Sequence, residues 1–98
     1  MICEFLTEAR DELWEAALFY DSKEPGLGTR FRDEVANVVQ RIVSDPELWR
    51  ERDGCYRRVN CPVFSYYLAY ITRKDRIVII AVAHSHRKPG YWKSRLDG

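Results

Sequence analysis

The sequence predicts an α+β fold of order β-α-α-β-β-β, and three observations carry that expectation. Apolar residues recur at helical spacing in two early segments, around 9–20 and 31–42. Two later segments, "VFSYYLAYI" and "IVIIAVA", are rich in β-branched and aromatic residues, as strands are. Short polar connections join the later segments, so they form a mostly antiparallel meander on which the helical pair must pack.

Each element can be justified in turn. Ile2 to Leu6 suits a short strand, and Thr7 is placed to cap the helix that follows. Glu8, Asp11 and Glu12 put negative charge in that helix's first turns, where its dipole favours it. Ala9, Leu13, Ala16, Ala17 and Tyr20 make one buried stripe, which Trp14 and Leu18 are expected to widen. "DSKEPGLGT" interrupts the helix and serves as the loop of a helical hairpin. Phe31, Val35, Val38, Val39 and Ile42 define the inner face of a second helix, with Glu34 expected to be exposed. Pro46 disfavours helix in the residue before it, so this helix should stop at Ser44-Asp45. "CYRRVNC" is a candidate strand that Pro62 ends or bends, and "TRKDR" is a tight turn. "IVIIAVA" is apolar at every position, which marks a central strand covered on both sides.

Ninety-eight residues make a single domain, 1–98, because a split would leave each half too little surface to bury. The 46% apolar and 32% charged composition excludes a disordered chain. The longest apolar run is too short to span a bilayer, and no basic segment precedes an apolar one at the N-terminus. A cytoplasmic protein without membrane attachment is the expectation. Cys3, Cys55 and Cys61 show no metal-type spacing and suit reduced thiols; Cys55 and Cys61 would share a strand face, too far apart to bridge. The net charge of +1 conceals a strong segregation. Residues 1–55 sum to −6 and residues 56–98 to +7, which implies an electropositive side suited to phosphate or an acidic protein segment.

Candidate chemistry concentrates in "AHSHRKPGYW", Ala83 to Trp92. His84 and His86 share a face of an extended chain, but the neighbouring sequence supplies no third ligand, so no metal and no cofactor is expected. Acid–base chemistry at His86 beside Arg87 and Lys88 is the alternative, with the cations stabilising charge on a phosphate. Tyr91 and Trp92 either stack on a ligand or pack back to pin the chain end. Arg57 and Arg58 are adjacent on a strand and point to opposite faces; which one meets the functional surface is open. No Walker A loop, G-x-G-x-x-G or G-x-S-x-G is present.

The segments "EARDELWEAALFYDSKEPGLGTRFRDEV", "DPELW", "GCYRRVNCPVFSYYLAYI" and "IVIIAVAHSHRKPGYWKSR" together resemble the RelE/ParE superfamily of toxins from type II toxin–antitoxin (plasmid stabilisation) modules, over nearly the full length. The resemblance implies a growth-inhibiting toxin neutralised by a cognate antitoxin. It also implies one of two activities. RelE-like members cut messenger RNA on the ribosome without a metal, using cations and a C-terminal histidine or tyrosine; ParE-like members are associated with poisoning DNA gyrase. Carried over by position, a RelE-type strand arginine falls near Tyr67, where it is absent. His84 stands where such nucleases place an arginine, and His86 where they place a histidine or tyrosine. The resemblance therefore favours ParE-like binding to gyrase through Arg87, Lys88, Tyr91 and Trp92. The alternatives are a nuclease using His86, Arg87, Arg57 and Arg58, and a relic that only binds its antitoxin.

Overall fold

The computed structural model describes residues 1–97. Its elements follow the expected order: β1 (Ile2–Phe5), α1 (Thr7–Lys23), α2 (Leu27–Ser44), β2 (Arg57–Asn60), β3 (Tyr66–Thr72), β4 (Arg76–His84) and a terminal 3₁₀ turn, Lys93–Asp97. The sheet runs β1-β4-β3-β2, so the two longest, most apolar strands lie at its centre. β1 pairs in parallel with β4, and the other pairs are antiparallel. The α1–α2 hairpin carries the chain from β1 at one edge of the sheet to β2 at the other, and it covers one sheet face.

The helical stripe is narrower than the sequence suggests. Ala9, Ala16 and Ala17 are buried, with Leu13 and Tyr20 half-buried beside them. Trp14 (49% exposed) and Leu18 (67%) instead face outward, because at about 100° per residue they lie roughly 140° and 180° around the helix from Ala9. Thr7 is the first helical residue, not the cap; Leu6 occupies the cap position without a side-chain bond. The α2 prediction holds at Phe31, Val35, Val38 and Ile42, all buried, and α2 stops at Ser44. Glu34 is a correction: it is half-buried, and its carboxylate accepts the backbone N–H groups of Val63 (3.1 Å) and Phe64 (3.0 Å). It thereby fastens α2 to the β2–β3 connection. Cys55 is another: it lies in a turn before β2, while Cys61 follows β2 and is buried.

Gly28 belongs to α2 and not to a loop. A Cβ there would lie 2.2 Å from the Ala17 carbonyl oxygen, and the Gly28 N–H donates to Asp21 Oδ1 at 2.7 Å. Only a hydrogen on Cα permits this approach of the two helices.

Both faces of the central strands are buried, as expected for "IVIIAVA". A bulge makes this possible without strict alternation: Ala69 pairs with Ala81 and Tyr70 with Ile79, leaving Ile80 as the extra residue. Ile79 and Val82 join the helix-side core, whereas Ile80 and Ala81 both join a second, smaller core on the opposite face. Trp92 roofs that second core, where the small side chains of Ala69, Ala81 and Ala83 leave room for its indole. The buried tyrosine hydroxyls are satisfied, Tyr70 donating to the Pro46 carbonyl (2.6 Å) and Tyr67 accepting from Trp92 Nε1 (2.9 Å).

Two predictions follow from this packing. Gly28→Ala should force the helices apart and destabilise the domain by roughly 1–3 kcal/mol; an unchanged melting temperature would show that the hairpin contact is not tight. The second concerns alkali. Burial pushes the Cys61 thiol up from 9.0 to about 12, and the Tyr70 hydroxyl from 10.0 to about 12. Groups whose folded pKa is raised give stability that is intact below the unfolded value and lost as pH climbs toward the folded one. Urea melts should therefore hold level to about pH 8, weaken from about pH 9 as the unfolded-state thiol ionises, and weaken faster above about pH 10 as tyrosines join. In Cys61→Ala the first phase should shrink to the smaller part left by Cys3, whose thiol burial also raises; a first phase as large as in wild type would count against Cys61.

Candidate functional site

β1 pairs with β4 only as far as Ile79, so the outer edge of β4 beyond that point has no strand beside it. Two side chains take the strand's place. The Ile80 carbonyl accepts from Arg95 Nη1 (3.1 Å), and the Val82 N–H donates to Glu12 Oε1 (3.1 Å). Glu12 and Arg95 also form a two-pronged ion pair, 2.9 and 3.0 Å, with side chains only 12% and 17% exposed. Tyr91 donates its hydroxyl to Glu12 Oε2 at 2.5 Å. The Tyr91 hydroxyl is raised well above its ordinary pKa by burial first and then by this carboxylate. One carboxylate from α1 thus collects a strand N–H, a phenol and a guanidinium.

The chain reaches this arrangement through a compact turn. Ser85 N–H donates to the Ser65 carbonyl (2.8 Å), Arg87 N–H to that of His84 (3.1 Å), and Gly90, at φ 74°, lets the chain double back across the second face. His84 Nδ1 accepts the His86 N–H at 3.0 Å. The two imidazoles lie 5.2 Å apart, and His84 meets the Tyr66 ring edge-on at 5.1 Å. His86, Arg87 and Lys88 are exposed. The Arg87 guanidinium stacks 3.8 Å over the Tyr91 ring and lies 3.8 Å from Glu12 Oε2. Beside it a hollow of about 170 Å³ opens between α1 and the end of β4, walled by Phe19, Tyr66 and Tyr91 and rimmed by Glu15.

The sequence-predicted residues do not all meet here. His86, Arg87, Lys88 and Tyr91 share the turn. Trp92 is 2% exposed, so of its two readings the packing one applies, and it offers no contact face. Arg57 turns to the helix side, where its Nε donates to the Trp49 carbonyl at 2.8 Å and its guanidinium lies 3.9 Å from Glu51. Arg58 takes the opposite face, 3.7 Å above the Tyr67 ring. The expected electropositive side is broken up as well. Arg57, Arg76, Lys93, Arg87 and Arg95 each reach an acid of the first half, namely Glu51, Glu4, Asp53 and, for the last two, Glu12. Much of the charge segregation is internal pairing. Among the described residues, no three His, Cys, Asp or Glu side chains gather as a metal site would need.

Glu12 and Arg95 were not foreseen as site residues. The available signal is positional: Glu12 is three residues from Ala9 and four from Ala16, at the border of the buried stripe, where a carboxylate seldom lies without a partner.

A small mixed sheet with a helical hairpin on one face and a basic turn closing its long strand defines a toxin-type fold of toxin–antitoxin modules. The family model described as the ParE toxin of type II toxin–antitoxin system, parDE, matches residues 3–89, and the chain belongs to that family. Membership implies an antitoxin partner. Toxin ParE2 of Mycobacterium tuberculosis is 29% identical over 89 residues, spanning 90% of this chain and 85% of the relative, in both strain CDC 1551 / Oshkosh and strain ATCC 25618 / H37Rv. A solved structure of a chromosomal ParDE system from P. aeruginosa superposes with a TM-score of 0.75 at 12% identity, covering 86% of this chain and 95% of that one, which establishes the shared fold.

The Glu12–Arg95 pair generates a stability prediction. Glu12→Ala should leave a mostly buried guanidinium and a strand N–H unpaired and destabilise by about 3 kcal/mol, the low end for a buried pair because some water reaches it. Adding Arg95→Met should recover part of that loss, with a coupling of at least about 1 kcal/mol in a double-mutant cycle. Strict additivity in denaturant melts would show that the two groups do not act together.

Proposed function

We propose that the protein arrests growth by binding DNA gyrase in the cytoplasm, and that a cognate antitoxin relieves the arrest by covering the same or an adjoining surface. The observation that supports this reading over messenger cleavage is the scatter of the nuclease set. Arg57 and Arg58 lie on opposite sheet faces. Tyr67, at the position where RelE-like nucleases are expected to carry an arginine, is buried with its hydroxyl tied to Trp92. A phosphate held in flight needs several cations converging on one point, and dispersed cations do not stabilise it. A binding surface has no such demand. It needs an exposed patch held rigidly from beneath, and the His86–Tyr91 turn is held so by Trp92 and Glu12.

In this reading Arg87, Lys88 and Tyr91 make contact, and Trp92 positions the turn. The exposed His86 imidazole beside Arg87 is the observation that favours the nuclease alternative. Wild type and variants should be compared in a gyrase supercoiling assay and in a translating-ribosome assay. His86→Ala should inhibit supercoiling much as wild type does, while Arg87→Ala and Lys88→Ala should each weaken inhibition by roughly 5–30-fold, as at a contact surface. Messenger cleavage that falls by about 10²–10⁴-fold in His86→Ala, with supercoiling untouched, would overturn the proposal.

A further inference from the structure

The hollow between α1 and the end of β4 holds groups that the gyrase reading does not use, Glu15, Phe19 and Tyr66. Its walls are the aromatic rings of Phe19, Tyr66 and Tyr91, and its acids are Glu12 and Glu15. Flat π faces beside carboxylates are what a guanidinium seeks, since it stacks on the first and hydrogen-bonds the second. The chain's own cations already gather on these rings: Arg87 at 3.8 Å and Arg95 at 5.4 Å over Tyr91, and Lys23 at 5.1 Å over Phe19.

We propose that this hollow receives an arginine side chain of a partner polypeptide, and that Arg87 is its resident, exchangeable plug. Arg87 demonstrates that a guanidinium fits over Tyr91, yet its hold is weak. Its side chain is 60% exposed, and its 3.8 Å approach to Glu12 is long for an ion pair. Glu12 itself is fully engaged by Val82, Tyr91 and Arg95. Glu15 is different: it is exposed, and among the described residues it makes no salt bridge, so its carboxylate is the one a newcomer would meet. Phe19, 54% exposed on the same rim, supplies an open ring.

Exchange leaves the charge of the hollow unchanged, because one guanidinium leaves as another enters. The displaced Arg87 then swings toward Lys88 and adds a cation to the turn. A partner segment that carries a carboxylate next to its arginine would satisfy both ends of the swap, the arginine in the hollow and the acid on the turn. This recognition does not depend on what the toxin ultimately inhibits.

The test uses the full chain, labelled with nitrogen-15, titrated with N-acetyl-L-arginine amide. The neutral isostere N-acetyl-L-citrulline amide serves as the charge control, and inorganic phosphate as the anionic arm. The arginine probe should shift amide signals of Glu15, Phe19 and Arg87 together, saturating in the millimolar range; citrulline should not. Glu15→Gln should weaken the probe by about 2–5-fold, the effect of an exposed pair. Arg87→Ala, although it removes a cation, should tighten the probe by roughly 3–10-fold, because the competing resident is gone. Both substitutions are at exposed positions, and the variants' spectra report directly whether they fold. Binding of citrulline as strong as that of arginine, no shifts with either, or shifts with phosphate that Arg87→Ala abolishes would each overturn the proposal, the last by assigning the hollow to an anion.

Discussion

Glu12 is placed where the fold has run out of strand. β1 is four residues long and leaves the second half of β4 without a neighbour on that side. A bare strand edge in a small domain exposes backbone groups that invite unwanted pairing. Here a carboxylate from α1 accepts the Val82 N–H, and the arginine it pairs with donates to the Ile80 carbonyl. The same carboxylate holds the Tyr91 hydroxyl, so the helix, the strand edge and the chain end are fixed through one side chain. Because the site turn lies between β4 and Tyr91, its geometry is a consequence of this constraint.

The second constraint is the bulge in β4. Strict alternation would place Ile80 and Ala81 on opposite faces, and the surface beneath Trp92 would then change from small to large. By setting both on the second face, the bulge combines Ala81 with Ala69 and Ala83 into a shallow bed. Trp92 fills it, and its indole N–H is satisfied by the Tyr67 hydroxyl. The position where an arginine would otherwise project is therefore committed to packing. Structure and chemistry compete for Tyr67, and packing has it.

Periodicity made the architecture legible. Phe31, Val35, Val38 and Ile42 announce the inner face of α2, and the unbroken apolar run of β4 announces a strand covered on both sides. Applied strictly, periodicity also excludes Trp14 and Leu18 from the α1 stripe, since at about 100° per residue they lie roughly 140° and 180° around the helix from Ala9, and both are exposed. What periodicity cannot carry is long-range polar pairing. Glu12 meets residues 70 to 83 positions away, and Glu34 meets a loop about 30 positions away. Local spacing holds no trace of such partners, so Glu12 reads as a dipole acid and Glu34 as solvent-facing. In the candidate site, the turn from His86 to Tyr91 was legible from composition; what holds it was not.

The charge pattern shows how far a sequence sum can mislead about function. A half-chain of +7 suggests a surface for phosphate, yet five of its cations reach acids of the other half in the folded chain. Segregation along the chain becomes pairing in space, because β1, α1 and the α2–β2 connection supply acids that meet β2, β4 and the chain end after it. The cations left over are divided as well. Arg73 and Lys74 sit in the β3–β4 turn, at the end of the sheet opposite Lys88, and Arg58 lies over the Tyr67 ring on the second face. A nucleic-acid backbone rewards many cations along one track, since each phosphate contact adds to the affinity. A few separated cations are better matched to a protein partner, whose recognition rests on a few well-placed groups framed by aromatic surface.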